Sequence, residues 1–190
     1  MMGYLHHLAG HVRCAGAATL ACLSLALGPG PAAAREEAGA LSPRIGEAIL
    51  GFMEDEALEE WQAVSDGYAG LLERPDLSAY ERAILLQLYG RARYELGDPG
   101  GTVDAWQAAL DLDVLPGEAA NTLRINAGQI MLAEGRHAEG IALIETALER
   151  GVPLTADIAM RLAQGYGQTG ELERGLGYAE QAFALAEPPV

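Results

Sequence analysis

YERAILLQLYGRARYELGDPGGTVDAWQAALDLDVLP, residues 80–116, is the stretch whose reading decides the fold. Two helical patterns flank a glycine-rich turn, Gly97-Asp98-Pro99-Gly100-Gly101. The first carries Leu86, Tyr89 and Gly90 on one face. The second carries Val103, Trp106, Ala109 and Leu110 at spacings of three and four, which is one stripe of a helix. A small residue at Gly90 lets the second helix approach closely, and Trp106 fills the angle between the two. A single helix–turn–helix of this kind cannot bury its own apolar face, so neighbours of the same build are expected.

The chain supplies them. In residues 118–153, Gly128, Met131, Gly135, Gly140, Ile144 and Ala147 repeat the roles of Gly90, Arg93, Gly97, Thr102, Trp106 and Ala109. In residues 155–188, Ala163, Tyr166, Gly170, Gly175, Ala179 and Ala182 fall in the same places. The turn glycines Gly97, Gly135 and Gly170 lie 38 and 35 residues apart. That interval fits a repeat of about 34 residues with small loop insertions. Residues 42–76 read as a degenerate first unit, with helices over Pro43–Glu54 and Ala57–Arg74. Leu58, Trp61, Val64 or Ser65, Tyr68 and Leu72 form the stripe of its second helix, and its turn, Met53-Glu54-Asp55-Glu56, lacks the usual glycine.

The punctuation between units is consistent. Ser42-Pro43 reads as an N-cap followed by a first-turn proline, where the missing N–H costs nothing. Ser78-Ala79-Tyr80-Glu81 is a capping box, and Thr155 caps the last unit. Pro75, Pro116 and Pro153 break the chain between units. No stretch alternates apolar and polar residues between turn signals, so no sheet is expected. The predicted fold is all-α: about four helix–turn–helix units, 42–76, 78–116, 118–153 and 155–188, stacked as an α-α superhelix. Its inner face is built mainly from the first helix of each unit.

Residues 1–34 read differently. His6, His7, His11 and Arg13 precede a short apolar run, Cys14 to Gly28, which Pro29-Gly30-Pro31 interrupts and Ala32-Ala33-Ala34 follows. The run is shorter than the roughly 20 residues that span a bilayer. Basic start, apolar middle and A-x-A end make a cleavable signal peptide, followed by a flexible lead-in over 35–41. The rival reading keeps the leader as an inner-membrane anchor. Cleavage would remove both cysteines, Cys14 and Cys22, and three of the four histidines. Cysteine nucleophiles, disulfides and Cys/His zinc sites are then excluded from the mature chain.

The formal net charge is -15, from 27 acids against 12 bases, and every base is arginine. A surface of that sign repels phosphate, so nucleic acid is not an expected partner.

Several phrases taken together resemble one group: YERAILLQLYGRARYELGD, AALDLDVLP, LRINAGQIMLAEGRHAEGI and LAQGYGQTGELERGLGYAEQAFALAE. The units resemble those of a tetratricopeptide repeat (TPR) protein. Over Leu41 to Pro188 the chain resembles the periplasmic TPR proteins associated with TonB–ExbB–ExbD energy-transducing systems. That resemblance implies a non-enzymatic periplasmic scaffold working beside a TonB-type outer-membrane transport system. It also implies further repeats, which this chain does not show.

The motifs that suggest chemistry have structural readings of their own. Gly165-Tyr166-Gly167-Gln168-Thr169-Gly170 matches G-x-G-x-x-G, yet no strand precedes it and no helix opens on it, as a dinucleotide site requires. Gly97 to Gly101 lacks the Lys-Ser/Thr of a P-loop. Asp111 and Asp113 lack the further oxygen ligands of a calcium loop. His137 stands beside the turn Gly135-Arg136, where a half-buried packing residue is expected. No catalytic, cofactor-binding or metal-binding residues are assigned.

The repeat register places another set on the inner face: Gln87, Arg91 and Tyr94 from the second unit, Asn126 and Gln129 from the third, and Arg161, Gln164 and Gln168 from the fourth. Amides, arginines and a tyrosine suit hydrogen bonding to an extended peptide. The expected function is therefore protein binding within the cell envelope. The alternatives are a glycan- or small-molecule-binding accessory factor for an envelope enzyme and a membrane-tethered assembly factor for a secretion or pilus machine. Leu172, Leu176, Ala179 and Phe183 form one further apolar stripe, which raises self-association through the last helix.

Overall fold

A computed structural model describes residues 39–186. The proposed leader, the start of the lead-in and Pro188 lie outside the described residues. Eight α-helices fill the described chain, and it contains no strand. They are α1 (Pro43–Ala57), α2 (Trp61–Leu72), α3 (Ala79–Glu95), α4 (Pro99–Asp111), α5 (Gly117–Ala133), α6 (His137–Glu149), α7 (Ala156–Thr169) and α8 (Leu172–Ala186). Each helix packs on the next, and the pairs α3/α4, α5/α6 and α7/α8 are the most extensive. The pair α1/α2 is the loosest of the four. None of the described helices is long and apolar enough to cross a membrane.

Three apolar clusters follow one another along the stack. Ile45, Val64, Tyr68, Leu85 and Ala92 join α1, α2 and α3. Trp106, Ala109 and Leu110 of α4 pack on Ala120, Leu123 and Ala127 of α5. Ile141 and Ile144 of α6 pack on Ile158, Leu162 and Tyr166 of α7. Each hairpin is thus closed by the first helix of the next one, which is how a stack of units buries a continuous core.

The same turn joins the helices of every hairpin. Gly97, Gly135 and Gly170 have φ of 74°, 81° and 82°. The N–H after each glycine donates to a carbonyl five residues back: Asp98 to Arg93 (2.9 Å), Arg136 to Met131 (2.8 Å) and Glu171 to Tyr166 (2.9 Å). This pattern satisfies carbonyls that the helix end leaves open. In the first hairpin the turn is not at Met53–Glu56, where the sequence placed it. There α1 runs on to Ala57 and α2 starts at Trp61. Glu59 takes the glycine's role with φ 58°, and Glu60 N–H donates to the Asp55 carbonyl at 2.9 Å. Glu59 stands 38 residues before Gly97, the interval that also separates Gly97 from Gly135. Leu58 consequently lies in the turn and is exposed, outside the buried stripe of α2.

Gly90 and Trp106 meet as the sequence predicts. A methyl group on Gly90 would stand 2.4 Å from both Cδ1 and Nε1 of the Trp106 ring. The indole N–H donates to the Gln87 carbonyl at 3.0 Å, so the buried ring has its polar atom satisfied. The motif Gly165–Gly170 sits inside and at the end of α7. Gly165 faces Leu132 and Ile141 across a close helix crossing, which accounts for its small size.

Ser42 departs from its expected role. Its side chain makes no cap bond within α1. Instead its hydroxyl and N–H donate to Glu81 Oε1, at 2.5 and 3.0 Å. Glu81 meanwhile completes the predicted capping box: Ser78 N–H donates to Oε2 (2.8 Å), and Glu81 N–H donates to the Ser78 hydroxyl (3.1 Å). One buried carboxylate therefore ties the starts of α1 and α3 together. Its pKa falls from 4.5 to about 2, chiefly because the Ser42 hydroxyl bonds the charged form. Nearby, Arg82 donates to the carbonyls of Leu72 and Arg74 at the end of α2 (3.0 and 3.2 Å).

Candidate functional site

The first helices of successive hairpins, α3, α5 and α7, lie in sequence along one side of the stack. A groove of about 480 Å³ runs between them, bordered by Tyr94, Pro99, Trp106, Asn126, Gln129, Ile130, Ala133, Glu134 and Arg161. A second groove of about 450 Å³ adjoins it and shares Asn126. It is bordered by Glu118, Asn121, Thr122 and Ile125 of α5, Arg150 to Pro153 of the loop between α6 and α7, and Ile158 of α7. Together they follow α5 from Glu134 to Glu118. A 17-residue helix is about 25 Å long, the reach of roughly seven residues of extended chain.

Four of the eight residues assigned from sequence border this path: Tyr94, Asn126, Gln129 and Arg161. Tyr94 is 54% exposed, so its ring is open to a ligand. Arg161 is held by Asp157 one turn earlier on α7, with Nε donating at 3.0 Å. Behind the second groove, buried Arg124 donates to Asn121 Oδ1 at 3.0 Å and fixes that amide at the groove wall. Burial lowers the Arg124 pKa, and the Arg150 charge lowers it further, against an opposing pull from Asp113.

The other four stand elsewhere. Gln87 contributes its backbone carbonyl to the Trp106 indole. Arg91 faces the first hairpin: its guanidinium lies 3.5 Å from Glu56 Oε2 and 5.5 Å from the centre of the Trp61 ring. Glu56 also accepts from the Tyr68 hydroxyl at 2.8 Å, so Arg91 belongs to a polar cluster that braces α1, α2 and α3. Gln164 borders a shallow groove between α7 and α8. Gln168 is exposed and borders none of these grooves.

The sequence reading missed Glu118, Thr122 and Ile125. A signal was available: with Gln129 and Ala133 they recur at steps of three and four along α5, the spacing of one helix face. Arg150, Val152 and Pro153 carried no such signal, because a loop has no period and only tertiary packing brings it to α5.

A second cluster links α6, α7 and α8. Glu145 Oε1 accepts from the hydroxyls of Tyr166 (2.5 Å) and Tyr178 (3.2 Å) and from Arg174 (2.7 Å). The two tyrosine rings stack, and the Arg174 guanidinium covers the Tyr166 ring at 4.1 Å. Burial first, then the Glu145 carboxylate, raise the pKa of Tyr166 above its ordinary range. These bonds converge on one carboxylate oxygen and tie α6, α7 and α8 together, with Arg174 reaching on to Glu171 at 3.2 Å, so the cluster serves as a brace. His137 is half-buried at the start of α6, with Nδ1 buried and unbonded. Among the described residues no three His, Cys, Asp or Glu side chains gather at metal-binding distance.

No protein-family model matches the chain, and no curated protein matches its sequence.

Proposed function

We propose that this chain is an exported TPR adaptor that binds an extended segment of another envelope protein in the groove along α5. The observation that carries the reading is the convergence of Tyr94, Asn126, Gln129 and Arg161, from three successive first helices, on one groove. Side-chain amides and a guanidinium hydrogen-bond a peptide backbone and its carbonyls without requiring a charged ligand. The apolar members Ile125, Ile130, Val152 and Ile158 supply places for alternate side chains of the bound segment. The reading is binding without catalysis, carried by these amides, the guanidinium and the apolar side chains between them.

The finer reading rests on the sequence resemblance: a periplasmic scaffold accessory to a TonB-type transport system, exported by a leader that is cleaved after Ala34. Mass spectrometry of the mature N-terminus tests the export step, with a start at Arg35 expected. Affinity capture from the envelope fraction tests the groove, comparing the natural chain with Asn126→Ala/Arg161→Ala. The double substitution is expected to lose the partner while keeping the helical spectrum. Retention of every captured protein would refute the groove assignment.

A further inference from the structure

Seven of the ten arginines among the described residues pair with a carboxylate at 3.5 Å or less. Of the other three, Arg82 gives its donors to the carbonyls of Leu72 and Arg74. Arg124 and Arg150 are left, and neither has a carboxylate partner among the described residues. Both belong to the second groove. Arg150 borders it, and Arg124 stands behind its wall, 8% exposed, donating to Asn121. Each is close enough to feel the other's charge, with Asp113 of the α4–α5 loop pulling the opposite way. A chain with 27 acids and 12 bases thus leaves two neighbouring cations without an ion pair at one place. Like charges so placed repel, and the buried one is poorly screened.

We infer that the segment held along α5 carries an aspartate or glutamate whose carboxylate is taken by Arg150 and the Asn121 amide. The inference rests on the groove reading above and adds a chemical requirement to it. Asn121 Oδ1 already accepts from Arg124, so the amide has its NH2 left to donate. A guanidinium donates only. This part of the wall therefore offers donors, and a carboxylate accepts from both, with the option of a bidentate contact to the guanidinium. It also brings the counter-charge that buried Arg124 lacks.

Glu118 borders the same groove, but it lies in the first turn of α5, where no side chain caps the helix and its charge meets the positive end of the helix. Asn121 stands one turn inside that end of the groove, so the bound segment runs on past it. The carboxylate is therefore that of a side chain and not of a chain terminus. With a net charge of -15, the protein as a whole attracts basic peptides. A preference for an acid at one position runs against that field and reports a local site.

A random heptapeptide library, displayed on phage without free C-termini and panned on the full chain, tests the inference. The recovered peptides are expected to share an Asp or Glu at one fixed position near one end. A recovered peptide is then synthesised with an amidated C-terminus. Changing its acid to the matching amide is expected to weaken binding about fivefold, as is Arg150→Gln in the protein, and the two losses are not expected to add. Arg150→Glu is expected to turn the preference at that position to Lys or Arg. Arg150 is exposed, so both variants should keep the far-UV spectrum. Arg44→Gln, which removes the same charge from α1, is expected to leave the affinity unchanged. Peptides that are lost in Asn126→Ala/Arg161→Ala yet show no fixed acid, or keep their acid preference in Arg150→Gln, overturn the inference and leave the groove reading standing. So does binding that depends on a free C-terminus and not on the acidic side chain. A library that yields no peptide overturns both.

Discussion

Replacing Glu81 by Gln tests the carboxylate that ties the first hairpin to the second. The amide keeps the size of the side chain but has one acceptor oxygen, so it can accept from Ser42 or from the Ser78 N–H while its NH2 faces the other donor; the charge and one acceptor are lost together. A carboxyl held at about 2, against 4.5 when unfolded, corresponds to roughly 3 kcal/mol of preference for the ionised form. Glu81 also borders a groove with the charged side chains of Arg44, Arg74 and Asp76. Screening there reduces the effect by about half, to about 1.5 kcal/mol. The sign follows from the direction of the shift. A depressed carboxyl contributes stability that is fully present above pH 4.5 and is lost as the pH falls toward 2. Urea unfolding followed by far-UV circular dichroism, with natural and substituted chains compared at each pH, cancels the titration of the other acids. The gap should be about 1.5 kcal/mol at neutral pH and should shrink steadily below pH 4.5. Ser42→Ala should narrow the gap, because the Ser42 hydroxyl makes the largest contribution to the shift. A gap that is absent at neutral pH, or constant down to low pH, would refute the assignment.

Three other substitutions test the packing. Gly90→Ala should cost about 2 kcal/mol in thermal unfolding, because the added methyl meets the Trp106 ring at 2.4 Å and the indole must move. Glu59→Gly should stabilise the first hairpin by about 1 kcal/mol, because a side chain at φ 58° is strained and glycine is not. Slower amide exchange in α1 and α2 would report it, and an unchanged or faster rate would count against the turn assignment. Tyr166→Phe should cost about 1–2 kcal/mol in denaturant unfolding, since it removes the hydroxyl that donates to half-buried Glu145 and leaves Arg174 and Tyr178 in place.

Much of the architecture was legible along the chain because it is written in local chemistry. A glycine that adopts positive φ, a serine that caps, and a small residue facing a large one each act within one hairpin, so their spacing shows in the sequence. Gly97, Gly135 and Gly170, the capping box at Ser78 and Glu81, and the Gly90–Trp106 contact are of this kind. The first turn escaped the same reading because its left-handed residue is Glu59, and a glutamate carries no turn signal.

What tertiary structure decided lies between hairpins. Ser42 had the composition of a local cap, but Glu81, 39 residues away, takes its hydroxyl. Arg91 and Gln129 occupy the same register, yet the acid Glu56 and the ring of Trp61 draw Arg91 out of the groove that Gln129 borders. The period of a helix places a residue on a face. Which partner that face meets depends on distant segments that only the packed chain brings within reach, and for these residues that partner determines the role.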